Sequence, residues 1–113
     1  MTGWILKTDG TVESVSDKLH QQQQGGSLKA LYAALGCHIV ERVVAPWGEF
    51  WCDEEGMFKQ PPIVNEFATQ IYWETFPHVQ GQPLMGDVFI RVKTSCTKGK
   101  RLTEVLEIRA ANP

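Results

Sequence analysis

The stretch Glu49–Phe76, EFWCDEEGMFKQPPIVNEFATQIYWETF, decides the fold, because it joins a strand to a turn and a turn to the best-defined helix start in the chain. Phe50-Trp51-Cys52 suits a pleated, half-buried surface, and Asp53-Glu54-Glu55-Gly56 supplies the polar residues and the glycine that a chain reversal needs. Pro61-Pro62 can neither continue a helix nor donate to a sheet ladder, so Lys59 to Val64 reads as an extended connector that leaves Asn65 as an N-cap. Phe67, Ala68, Ile71, Tyr72 and Phe76 then form one apolar stripe at helical spacing, closed by Pro77, with Trp73 and Glu74 lying off it.

Towards the N-terminus, Trp4 to Thr8 and Thr11 to Val15 flank Asp9-Gly10, the pair that a tight hairpin prefers because both turn positions need positive φ. Residues 16–26 are polar, end in Gln21 to Gln24 and Gly25-Gly26, and read as a flexible connector. Ser27 is then expected to cap a helix that carries Leu28, Leu31, Tyr32 and Leu35 on one face and stops at Gly36. Cys37 to Ala45 has strand composition, and Pro46-Trp47-Gly48 is short enough to fold it back onto Phe50-Trp51-Cys52 as a second hairpin.

Towards the C-terminus, His78 to Gly86 is an irregular connection, and Asp87 to Lys93 alternates with Val88, Ile90 and Val92 on one face, the pattern of a half-buried strand. Residues 94–101 read as a basic loop. Leu102, Val105, Leu106 and Arg109 are spaced for a helix whose early turns suit Thr103, Glu104 and Glu107. The alternative for 102–110 is a strand paired with 87–93 through a Lys98-Gly99-Lys100 turn. The class that follows is α+β: one small domain over residues 1–113, with a mixed or antiparallel sheet from two hairpins plus a later strand, packed by two to three helices.

Composition narrows the function classes. At 113 residues and 42% hydrophobic content the chain holds one core and is small for a deep enzyme cleft. No apolar run is long enough to cross a bilayer and no secretory pattern opens the chain, so a soluble, cytoplasmic protein that avoids membranes is expected. Three cysteines without a CxxC pair argue against a disulfide framework. The formal charge of −2 is unevenly spread: residues 1–90 hold five Lys/Arg against eleven Asp/Glu, and residues 91–113 hold six against two. This basic end is either a solvated loop or an anion contact.

Side chains able to carry chemistry are present but scattered. Cys37, His38, Cys52, His78 and Cys96 lack the tight spacing of a zinc site, so no metal and no cofactor is expected. Cys52 with His38 across the second hairpin is the one thiol–imidazole pair that geometry allows, and Asp53, Glu54 and Glu55 suit a solvated turn better than a calcium ladder. Glycines fit neither a phosphate loop nor a dinucleotide fingerprint. No catalytic set can be assembled, and an enzyme is the last of the three readings. The first is a binding protein, through a protein partner or self-association, with Trp47, Trp51 and Trp73 as the docking residues if they do not simply finish the core. The second is a binder of a small anion or nucleotide held by Arg91, Lys98, Lys100 and Arg101, with Asn65 orienting it.

The order of these pieces is itself informative. A hairpin, a helix ending at Leu35-Gly36, a Val-rich strand at Ile39 to Val44, Glu54-Glu55-Gly56, the segment Pro61 to Ala68 containing Asn65-x-x-Ala68, and Gly86-Asp87-Val88 occur in that order. In this the chain resembles the domain-of-unknown-function family numbered 3846, from which its glutamine-rich insert and longer basic tail depart. The resemblance implies no activity. It implies a small, soluble accessory or counter-defence factor, often encoded on phage or mobile elements.

Overall fold

A computed structural model describes residues 1–21 and 28–112. The Asp9-Gly10 turn forms because Asp9 Oδ1 accepts hydrogen bonds from both the amide and the hydroxyl of Thr11, while Gly10 takes a φ of 89°. It joins β1 (Thr2–Leu6) to β2 (Val12–Val15) in antiparallel register, Leu6 opposite Val12 and Gly3 opposite Val15. The described part of the 16–26 connector is not free: it folds into a 3-10 turn, Leu19–Gln21, whose Leu19 packs on the core. Residues 22–26 of that connector and the expected cap Ser27 lie outside the described residues. Helix α1 (Lys29–Leu35) has Leu28 at its N-cap position and stops at Gly36 in the left-handed conformation.

Strands β3 (Val40–Ala45) and β4 (Gly48–Asp53) form the second hairpin, turning on Pro46 and Trp47. Helix α2 (Glu66–Thr75) begins at Asn65, whose side chain accepts from the Ala68 amide as an N-cap should. Strand β5 (Val88–Val92) completes the sheet, which is antiparallel throughout with the order β2-β1-β5-β4-β3.

The last element is a helix, α3 (Thr97–Ala111), and it starts before the sequence reading placed it. Residues 97–101 are its first turn and not loop. Gly99 is not a turn glycine: a Cβ there would lie 1.6 Å from the Lys93 carbonyl oxygen, so its bare backbone lets α3 pass close over the end of β5. Cys96 caps the helix, its sulfur accepting from the Gly99 amide at 3.4 Å.

Strand alternation divides the apolar residues between two layers. On one face Trp4, Leu6, Val12, Phe50, Cys52, Val88, Ile90 and Val92 pack against Ala68 and Ile71 of α2 and Leu106 of α3. On the other, Ile5 and Phe89 pack against Leu31 and Leu35 of α1 and against Cys37. Helices α2 and α3 lie side by side on the first face and run antiparallel. Arg109 near the end of α3 sets its guanidinium 3.7 Å from the centre of the Phe67 ring at the start of α2. Thr2 and Thr103 share a 3.2 Å hydrogen bond that holds α3 onto β1.

Candidate functional site

A hollow of about 480 Å³ is the open groove between α2 and α3. Its apolar lining comes from three elements. Pro46 and Trp47 come from the β3–β4 turn, Phe67 and Ile71 from α2, and Leu102 and Val105 from α3. One end carries charge: Lys98 and Arg101 on the α3 wall, Glu74 on the α2 wall. Both cations are exposed, and neither makes an ion pair among the described residues. Helical periodicity explains the wall, since residues 98, 101, 102 and 105 fall along one side of α3.

The tryptophans singled out from sequence do not form a common surface. Trp47 is 4% exposed, packs edge-on to Phe50 at 5.0 Å and donates to the Thr75 hydroxyl, so it is core that forms the groove floor. The two-residue turn folds its ring inward rather than leaving it at an edge. Trp51 points to the opposite face of the sheet, where its indole N–H donates to Glu49. Trp73 is half-buried and donates to the Gln82 carbonyl, tying α2 to the connection that follows. The sheet therefore separates Trp47 from Trp51.

The basic residues are divided in the same way. Lys98 and Arg101 line the groove, whereas Lys100 is exposed on another side of α3. Arg91 lies on the far face of the sheet, held by Glu49, by the Asp17 carbonyl and by the Met1 sulfur. Asn65 is fully buried. Its amide donates to the Leu6 and Gly86 carbonyls at 2.8 and 2.9 Å and its oxygen caps α2, so no polar atom remains to orient a ligand.

The far face holds a cluster that the residue-by-residue reading missed. Glu49 is 4% exposed and is met by Arg91, Arg42 and the Trp51 indole. Burial pushes its carboxyl up, but the hydrogen bonds from Arg91, Arg42 and Trp51 outweigh burial and leave it below the ordinary glutamate value. His20, from the 3-10 turn, stacks 5.2 Å from the Trp51 ring and 6.2 Å from Phe89. Burial, helped by the positive charge of Arg91, pulls its pKa down. The readable signal was alternation, which puts Glu49 and Trp51 on one face of β4. The partner 42 positions away, Arg91, was not readable.

The cysteine chemistry considered from sequence meets an obstacle. Cys52 sits in the core with its pKa pushed up to about 12, first by burial and then by the nearby carboxylates, so its thiol stays protonated. Among the described residues, no three His, Cys, Asp or Glu side chains come together as a metal site. No described helix is long and apolar enough to cross a membrane.

Neither the curated proteins nor the solved structures offer a match to this chain. The family comparison does: the order of pieces from the first hairpin to the middle of α3 corresponds to residues 5–107 of a match to the Domain of unknown function (DUF3846), and the chain belongs to that family.

Proposed function

We propose that this protein acts by binding, as an accessory factor, and that the α2–α3 groove is the surface it binds with. The observation that carries this is an open groove with an apolar floor, Trp47, Phe67, Ile71 and Leu102, beside two cations that make no ion pair among the described residues and outnumber the one carboxylate there, Glu74. Such a surface takes a segment of a protein partner that presents a bulky apolar side chain next to one or two carboxylates. Three free thiols support a reducing, cytoplasmic setting. The test is a ¹H–¹⁵N spectrum titrated with a short amphipathic acidic peptide and with its lysine-substituted counterpart. The acidic peptide is expected to shift the Trp47 indole and the amides of Leu102 and Val105, and the basic one to leave them in place. Equal shifts with both, or shifts only outside the groove, refute the assignment.

A second reading has its own support, the size of the groove: about 480 Å³ lies within the range of small-ligand sites, roughly 300–1,000 Å³. An amphiphilic anion would lay its apolar body on Trp47 and its charge against Lys98 and Arg101. Thermal unfolding measured with a panel of nucleotides and organic anions separates the two, because only a ligand that binds the folded state raises the midpoint.

A further inference from the structure

The turn after β4 carries the most exposed large apolar side chain among the described residues. Phe58 is 81% exposed and Met57 beside it 63%, although both belong to an ordered 3-10 turn, Gly56–Phe58. The turn is anchored on both sides. Asp53 pairs with Lys59 at 2.7 Å, and Lys59 also donates to the Gly36 carbonyl at 2.8 Å. Asp53 is thereby neutralised, whereas Glu54 and Glu55 are exposed and make no ion pair among the described residues. The result is an apolar knob flanked by two unpaired carboxylates. The α2–α3 groove has the inverse balance, an apolar floor whose charged end carries two cations, Lys98 and Arg101, against one carboxylate, Glu74.

We infer that the occupant of the groove is the Met57–Phe58 knob of a second copy of this chain, with Glu54 and Glu55 set against Lys98 and Arg101. This rests on the groove reading above and names its partner. Opposite charge and the match of an exposed aromatic to an open apolar floor carry the inference. A molecule cannot satisfy its own groove: Gly48 at the groove end of β4 and Asp53 at the knob end are separated by about 17 Å of strand. Exchanged reciprocally, knob to groove and groove to knob, the contact closes a two-fold dimer, and made once per pair it repeats from copy to copy as a row or a closed ring. A single knob makes a small interface, so association grows with protein concentration and weakens with salt.

Sedimentation velocity over a concentration series tests this with two surface variants. Phe58→Asp removes the knob and leaves the groove, and Lys98→Glu with Arg101→Glu reverses the groove's charge and leaves the knob. Wild type is expected to gain mass with concentration, and each variant alone to associate at least about tenfold more weakly. Mixed, the two variants are expected to form a dimer and nothing larger, since only one pair of surfaces is intact. A wild type that stays monomeric, or a mixture that does, overturns the inference. If the acidic peptide still shifts the groove in that case, self-recognition falls and the groove reading stands; if it does not, both fall.

Discussion

Replacing Asn65 by alanine removes the side chain that joins three parts of the chain at one buried point. Its amide holds the end of β1 through Leu6 O and the entry to β5 through Gly86 O, and its oxygen caps α2 at the Ala68 amide, 3.1 Å away. Loss of an N-cap costs about 1 kcal/mol. Each carbonyl left without its donor adds about 1 kcal/mol, more where water cannot enter. The sum is about 3 kcal/mol, and at roughly 4 °C per kcal/mol for a domain of this size the midpoint should fall by about 12 °C. Urea and thermal unfolding followed by tryptophan fluorescence measure this directly. Asn65→Ser should recover the cap but not the two amide bonds, and so fall between wild type and alanine. Asn65→Asp should keep the cap while placing a carboxylate against two carbonyl oxygens, and should be no better than alanine at neutral pH. An alanine variant within about 2 °C of wild type, or an aspartate variant as stable as wild type, would show that Asn65 does not hold these segments together.

Glu49→Ala leaves Arg91 half-buried without its carboxylate and should cost about 3 kcal/mol in urea unfolding. Because the Glu49 pKa is lowered in the fold, its contribution is present above the ordinary glutamate range and lost as pH falls through the lowered value. Glu49→Gln should therefore unfold less steeply in acid than wild type. His20 runs in the same direction, although the form the fold favours is the neutral one. Its folded pKa lies below the ordinary 6.5, so its packing on Trp51 contributes fully above that pH and declines below it, with Arg91, Arg42, Glu49 and Asp17 the charges facing it. His20→Phe should remove that decline, as read from unfolding midpoints at a series of pH values. A thiol reagent applied to the native protein should modify Cys96 first, and Cys37 and Cys52 only on unfolding, since burial raises the pKa of both.

Local chemistry was legible in the chain. Asp9-Gly10 and Pro46-Trp47 set hairpins over a few residues, and Asn65 announced a helix start because capping acts over three residues. What Asn65 does with its amide was not legible, since Leu6 lies 59 positions away and Gly86 21. Lys98-Gly99-Lys100 reads by composition as part of a basic loop. It is helix because Gly99 is chosen for its missing Cβ against the Lys93 carbonyl, a contact no local rule contains. The groove was half legible: Trp47, Lys98 and Arg101 were singled out for unrelated reasons, and the packing of α2 beside α3 brought them together. Trp51 and Arg91 were assigned to docking and anion binding, yet both sit around Glu49 on the other side of the sheet. A pattern that alternates along one strand does not say which distant residue it will face.

The sheet order β2-β1-β5-β4-β3 puts the last strand of the chain in the middle. Neither hairpin pairs with the other. Each pairs only with β5, β1 through five residue pairs and β4 through four. The two halves of the domain thus remain separate pieces until residues 88–92 slot between them, and closure of the core waits on contacts that span most of the chain's length. Any truncation upstream of Val88 should leave two hairpins without a shared sheet, and a peptide carrying β5 and α3 is the part that would join them. Folding here has a keystone, and it is the last strand to be made.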